Sequence, residues 1–397
     1  MSTLRDIDIS NKRVLVRADL NVPTDSRGEI LDDTRIRESL PTLEYLIEKG
    51  AKVIVMSHLG RPKGERSERY SMNQVVIRLR AALERDVKKL NDCVGPEVQQ
   101  AINDLKPGEV MLLENLRFHP GEEKNDPEFC RELAQLGDLY VNDAFGAAHR
   151  AHASISGITD YIPSVCGFLM EKEVTMLRKV MNTGESPRIA IVGGAKVSDK
   201  LKLLENLLER MDVVIIGGGM ANTFLKAQGI PVGSSLCEDS LLDSARDLMR
   251  QADEKGISIL LPTDVAIAPR FHHDAERRVV PVHEVPDGWM ILDIGPETAA
   301  CYKEAIGKAR TILWNGPMGV YEFESFSTGT DEVARAVADA QGVSVVGGGD
   351  SLAAVYKLNL QDQITHVSTG GGATLEFLEG KRLPGLVYSK SMQQLVG

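Results

Sequence analysis

The sequence lacks paired cysteines: the five present, Cys93, Cys130, Cys166, Cys237 and Cys301, are odd in number, scattered, and never spaced C-x-x-C. That argues against a disulfide framework and a zinc ribbon, and it points to a reducing cytoplasm. Long apolar runs are also missing. Stretches such as 213–216 end at glycine within a few residues, far short of the ~20 needed to cross a bilayer. The first thirteen residues hold no continuous apolar stretch, so they read as the start of a domain rather than a signal segment. Surplus positive charge is absent as well. A net charge of −11 opposes non-specific binding to nucleic acid, so an anionic ligand has to meet a local basic cluster. Screening over about 8 Å in physiological salt lets such a cluster work on an acidic protein. Neither G-x-x-x-x-G-K-[ST] nor G-x-G-x-x-G occurs, and the H-R-D and D-F-G kinase elements are missing. No repeat, low-complexity tract or heptad pattern is present.

What is present is an ordinary globular composition, 43% apolar and 26% charged over 397 residues, a length that suggests two lobes. Short β-branched runs at 14–16, 53–56, 110–113 and 139–141 alternate with helically spaced apolar residues such as Val75, Leu79, Leu83 and Val98, Ile102, Leu105. Such alternation predicts repeated β-α units and a mainly parallel sheet. A second series runs through 189–192, 213–216, 259–261, 290–292, 312–314, 344–346 and 366–368. Between the two, residues 167–181 predict a linking helix that closes at Asn182-Thr183-Gly184 before Pro187. The expected fold is α/β: two doubly wound, mainly parallel-sheet, Rossmann-like lobes joined by a hinge helix. The expected boundaries are 1–170, a hinge at 171–187, and 188–382.

The second lobe carries glycine turns at 193–194, 217–219, 316–319, 347–349 and 370–372. Any one glycine at a strand end serves a tight turn well enough. Five in one lobe point instead to a nucleotide, because ligands of parallel sheets sit beyond the carboxyl ends of the strands, where helix N–H groups are free. Lys196 and Lys200, four apart, read either as a solvated face or as phosphate ligands, and Ser198 is a candidate cap for the helix carrying Lys200. Asp350 reads equally as a helix cap or as a Mg²⁺ ligand. The first lobe ends its strands in charge: Arg17-Ala18-Asp19-Leu20-Asn21, Ser57-His58-Leu59-Gly60-Arg61, Arg117, and Asn142-Asp143 followed by His149-Arg150-Ala151-His152. Converging guanidinium forks suit a doubly anionic metabolite. The histidines do not by themselves assign a general base.

These segments, together with Asp33-Thr-Arg-Ile36, Leu113-Glu-Asn-Leu-Arg-Phe-His119, Gly193-Gly-Ala-Lys-Val-Ser-Asp-Lys200, Trp314-Asn-Gly-Pro-Met-Gly-Val-Tyr-Glu322, Gly347-Gly-Gly-Asp-Ser351 and Ser368-Thr-Gly-Gly-Gly-Ala373, closely resemble the phosphoglycerate kinase family. They run in family order along most of the chain. The resemblance implies reversible transfer of the acyl phosphate of 1,3-bisphosphoglycerate to MgADP, giving 3-phosphoglycerate and MgATP. It implies that Asp19, Asn21, Arg35, His58, Arg61, Arg117 and Arg150 hold the phosphoglycerate. The nucleotide falls to Lys196, Lys200, Glu322, Gly348, Gly349, Asp350 and Ser351, with Asp350 reaching Mg²⁺. Arg35 and Lys200 are the implied catalytic pair, and the helix start at Gly371 and Gly372 the implied phosphate-stabilising N–H groups. The resemblance further implies that the tail, about 383–397, returns to the first lobe and that the protein is a cytoplasmic monomer without nucleic-acid or membrane partners. Ala18 and Leu20 depart from the Val and Phe common in the first motif, and Ile291 replaces a frequent glycine near the adenine. A non-catalytic nucleotide sensor or scaffold of the same fold is the alternative; a nicotinamide dehydrogenase suffers from the missing dinucleotide fingerprint.

Overall fold

The computed structural model describes residues 3–387. The described residues divide into two compact units, one comprising 3–175 together with 382–387, the other Met176–Lys381.

The first unit is built on a six-stranded sheet, β1 (Arg13–Ala18), β2 (Lys52–Met56), β3 (Val87–Lys89), β4 (Val110–Leu112), β5 (Leu139–Asp143) and β6 (Ser164–Cys166), in the order β3-β4-β2-β1-β5-β6. All its pairings are parallel. Successive strand residues point to opposite faces, and both faces are buried: Val14, Val16, Val53 and Val55 join one core, while Leu15, Ile54 and Met56 join another. A sheet covered on both sides explains why its strands read as continuous apolar runs. The chain leaves β1 toward β2 on one side and fills the other side with β5, so strand order reverses between β1 and β5. That reversal opens the crevice in which ligands of such sheets bind. Leu383, Leu386 and Gly385 are buried in this unit, Gly385 N–H donating to the Ala148 carbonyl at 2.8 Å. The remainder of the expected tail, from residue 388, lies outside the described residues.

The second unit holds another parallel six-stranded sheet, β7 (Arg188–Val192), β8 (Val213–Ile216), β9 (Ser258–Leu260), β13 (Thr311–Asn315), β14 (Val343–Gly347) and β15 (His366–Val367), in the order β15-β14-β13-β7-β8-β9. Its order reverses between β7 and β13. Three further strands, β10 (Asp264–Ala268), β11 (Arg278–Pro281) and β12 (Met290–Ile294), form a separate antiparallel sheet ordered β11-β10-β12. Residues 290–292, expected in the parallel series, thus pair antiparallel with β10. A short apolar run states that a strand is buried, not which way its partner runs.

The linking helix spans Phe168–Arg178 and widens into a π-turn, Lys179–Thr183. Its start is fixed by Asp143 at the end of β5, whose Oδ1 accepts the N–H groups of Leu169 (2.9 Å) and Met170 (3.3 Å).

Candidate active site

At the carboxyl ends of β1 and β2 the chain turns from apolar to charged, and the structure gathers these charges. Asp19 is buried and pairs with Arg35 from the first turn of the helix Thr34–Glu48. Asn21 accepts the Gly60 N–H through Oδ1 at 2.8 Å. Arg117 is almost wholly buried, donates to the Gly60 carbonyl at 2.7 Å, and stands 3.3 Å from Glu123. Asn115 holds that loop in shape: its Oδ1 accepts the Arg117 N–H, and its Nδ2 donates to the Leu59 and Tyr70 carbonyls. Arg150, half-buried, lies against His149, and Arg61 is exposed one residue beyond Gly60.

His58 sits among these cations. Burial, followed by the fields of Arg17, Arg117, Arg150 and Arg35, holds its imidazole well below the usual histidine range. Burial and Arg117, Arg17, Arg150 and His149 likewise lower His152 to about 3. Burial and then Arg150 bring Arg117 down to about 10. The cluster is therefore strongly cationic with histidines held neutral, a state that an incoming polyanion relieves. Arg17, named from the sequence among the charges that end the strands but not among the residues assigned to the phosphoglycerate, is 1% exposed at the heart of this cluster. The available signal was a charge inside an otherwise apolar strand.

In the second unit the glycine turns follow β7, β8, β13, β14 and β15. At the β7/β13 reversal they pack backbone on backbone: a Cβ on Gly316, whose φ is +106°, would collide with the Gly193 carbonyl, and one on Gly193 with that of Pro317. Beside them opens a cavity of about 570 Å³ lined by Gly194, Gly218, Ile291, Leu292, Pro317, Glu322 and Asp350, among others. Its walls are mostly apolar with few polar groups, as small-molecule sites generally are. Ile291 is among its lining residues.

Glu322 and Asp350 are thus brought to one cavity; Lys196, Lys200, Gly348, Gly349, Ser351, Gly371 and Gly372 are not among its lining residues. Lys200 pairs with Asn315 at the end of β13, a partner the sequence reading missed. Burial lowers the Lys200 ammonium, while Glu379, Asp199 and Asp350 oppose that shift. Lys196 is exposed. Ser351 is buried and its hydroxyl accepts the Gly316 N–H at 2.7 Å, so its side chain braces the glycine loop. Asp350 lies in the first turn of the helix Gly349–Lys357 but does not cap it, Gly348 standing at that position. Ser198 does not cap its helix either, because Glu238 accepts both its hydroxyl (2.6 Å) and its N–H (3.0 Å). Gly371 and Gly372 are exposed at the start of the helix Gly372–Leu378.

A carboxylate at a cavity lip, such as Asp350, suits magnesium, which needs only one or two carboxylates and keeps most of its waters. Elsewhere, Asp92, Cys93 and His119 bring ligand-type atoms within 4.8 Å of one another. Each already has a protein partner: His119 meets Asp92 at 2.6 Å, Arg66 pairs with the other Asp92 oxygen, and the Cys93 thiol donates to the Glu114 carbonyl.

The family model described as phosphoglycerate kinase matches residues 4–381. The phosphoglycerate kinase of Moorella thermoacetica is 58% identical over 385 residues, covering 97% of this chain and 98% of that protein. That of Chloroflexus aurantiacus is 53% identical, with 97% of each chain covered. Among solved structures, the phosphoglycerate kinase from Coxiella burnetii superposes with a TM-score of 0.90 at 44% identity over the whole of both chains. The one from Pyrococcus horikoshii gives 0.83 at 39%, covering 99% of this chain and all of that one. Matches of this extent leave one conclusion: the chain belongs to the phosphoglycerate kinase family.

Proposed function

We propose that the chain transfers the acyl phosphate of 1,3-bisphosphoglycerate to MgADP, and in reverse the γ-phosphate of MgATP to 3-phosphoglycerate. In this reading the first unit holds the phosphoglycerate and the second the nucleotide. The observation that carries it is the cationic cluster around His58: four arginines about two neutral histidines, in a protein of net charge −11. Asp19, Asn21, Arg35, His58, Arg61, Arg117 and Arg150 bind the phosphoglycerate. Lys196, Lys200, Glu322, Gly348, Gly349, Asp350 and Ser351 serve the nucleotide, Ser351 by bracing the loop.

An oxygen of the ADP β-phosphate forms the new bond to phosphorus while the bond to the acyl oxygen breaks and leaves as carboxylate. The acceptor is already an anion, so no proton has to be moved. A histidine lowered to about 3 is a poor proton shuttle near neutrality, and this chemistry needs none. Catalysis is positioning plus charge stabilisation. Arg35, oriented by Asp19, and Lys200, oriented by Asn315, steady the equatorial oxygens of the moving group, with the N–H groups of Gly371 and Gly372 assisting. Asp350 would hold Mg²⁺, which supplies neutralising charge to the nucleotide phosphates.

One ligand per unit means that in-line transfer requires the units to close on each other about residues 167–187, expelling water. Small-angle scattering should record contraction when both substrates bind, and an unchanged radius would count against closure. The activity is tested by a coupled assay with ATP, Mg²⁺ and 3-phosphoglycerate. Arg35→Ala is expected to lower kcat by roughly 10²- to 10³-fold, with Arg35→Lys failing to restore it because the planar fork is lost. Near-normal turnover in either variant would remove Arg35 from the mechanism. The same reading has the enzyme act as a cytoplasmic monomer without nucleic-acid or membrane partners. Five unpaired cysteines suit that compartment, no helix among the described residues is long and apolar enough to cross a membrane, and light scattering on the eluting protein measures the mass.

A further inference from the structure

Arg17 lies on β1, in a strand buried on both faces, and is 1% exposed. Its guanidinium is held on three sides. Nε donates to Ser154 Oγ at 2.8 Å, Nη1 to the Ala18 carbonyl at 2.7 Å, and Nη2 meets His58 Nδ1 at 3.0 Å. Ser154 in turn donates its hydroxyl to Glu122 Oε1 at 2.6 Å and its N–H to Glu122 Oε2 at 3.0 Å, and Glu122 is fully buried. The buried cation thus has a buried anion one hydroxyl away, as the low dielectric of an interior demands. This arrangement fixes the guanidinium within its own unit rather than offering it to a ligand.

We propose that Arg17 is a positioning residue that locks His58 in the tautomer with its proton on Nε2, so that this N–H is an obligatory donor to the anion bound in the first unit. A guanidinium has donors only, so the ring nitrogen it meets must carry a lone pair. A neutral imidazole has one N–H, which then belongs to Nε2, while a doubly protonated ring would set donor against donor. The surrounding charges act in the same sense, since burial and Arg17, Arg117, Arg150 and Arg35 all oppose a charged ring.

The consequence is selectivity by acceptor. Nε2–H rewards a carboxylate or phosphate oxygen and adds no further charge to a crowded cationic site. Which nitrogen of a histidine carries the proton is set by the bond the other nitrogen makes, and here the sequence separates the two partners by 41 residues. The inference rests on the reading that this unit binds phosphoglycerate, but its central test needs no ligand.

That test is a long-range ¹H–¹⁵N spectrum of the full chain labelled at histidine, near neutral pH and ligand-free, with His58 assigned by its loss in His58→Gln. The expected result is a pyridine-type Nδ1 and a pyrrole-type Nε2. A protonated Nδ1, alone or in a doubly protonated ring, overturns the proposal. Because Arg17→Met alone strands Glu122, the functional arm uses the double variant Arg17→Met/Glu122→Gln, which removes both charges at similar volume. In it the two tautomers should mix, and KM for 3-phosphoglycerate should rise by about tenfold, the loss expected for one weakened charge-assisted hydrogen bond, while KM for ATP stays put. An unmoved KM for 3-phosphoglycerate in the folded double variant overturns the positioning role. Turnover by the unmutated chain in the same assay tests the phosphoglycerate reading separately.

Discussion

At the scale of single residues, the first unit's crevice makes stability depend on pH in two opposite senses. His152 falls from an ordinary 6.5 to about 3 through burial and the neighbouring arginines. The unfolded chain therefore binds a proton at this residue as pH drops through 6.5 while the folded chain declines it, so this contribution is present above 6.5 and is lost toward 3. Asp143 acts the other way. Burial raises it from 3.8 to about 6, so its contribution is present below 3.8 and is lost as pH rises through 6. Asp293, buried in the wall of the second unit's cavity and raised to about 7, follows Asp143. Comparing a variant with its parent isolates one group from this background. His152→Gln should flatten the acid limb, removing up to about 1.4 kcal/mol per pH unit between 6.5 and 3, the limit for a single proton. Urea midpoints across that window measure it, and parallel curves for variant and parent would show that His152 is not kept neutral by the fold.

At the scale of elements, the parts legible in the sequence were short, fully apolar runs with charged or glycine-rich ends. Strands such as β1, β2, β7 and β13 announced themselves because burial on both faces demands unbroken β-branched runs. The runs at β3 and β11 are short and partly polar, Val-Lys-Lys and Arg-Val-Val-Pro, and their places at sheet edges leave much of them exposed. Pattern alone had nothing there to detect. The contacts of Asn315 with Lys200 and of Arg17 with His58 escaped for another reason: each joins residues far apart in sequence. The glycine turns were visible, but the geometry separates those that must be glycine from those that need not be. Gly316 has φ +106° and no room for a Cβ beside the Gly193 backbone, whereas Gly307, at the end of the helix Pro296–Gly307, has open space around it. Gly316→Ala should cost about 3 kcal/mol or more, combining left-handed strain with a backbone clash that cannot relax cheaply. Gly307→Ala should be neutral or gain a few tenths up to about 1 kcal/mol through helix propensity. Chemical denaturation of the two variants side by side decides it, and equal effects would mean that the loop packing at the β7/β13 reversal tolerates a side chain.

At the scale of the whole molecule, the first unit is made from two separate pieces of chain, because residues 382–387 belong with 3–175 while the intervening 176–381 form the second unit. The first unit is therefore incomplete until residues 382–387 have been made, however early its own sheet is synthesised. Two side chains in that stretch, Leu383 and Leu386, are each 1% exposed, and Gly385 bonds to Ala148 in the loop that precedes Arg150. Burying two leucines contributes about 3–6 kcal/mol, a large part of the roughly 5–15 kcal/mol that holds a domain folded. Ending the chain after Lys381 should then lower the stability of the first unit selectively. Amides of β1, β2 and β5 should lose hydrogen-exchange protection while those of β7 and β13 keep theirs. Leu386→Ala, which leaves the backbone bonds in place, should reproduce part of the effect, by about 2–5 kcal/mol. Full protection of β1, β2 and β5 in the truncated chain would show that residues 3–175 fold completely without their distant partner, and equal loss in both sheets would show that the two units do not unfold independently.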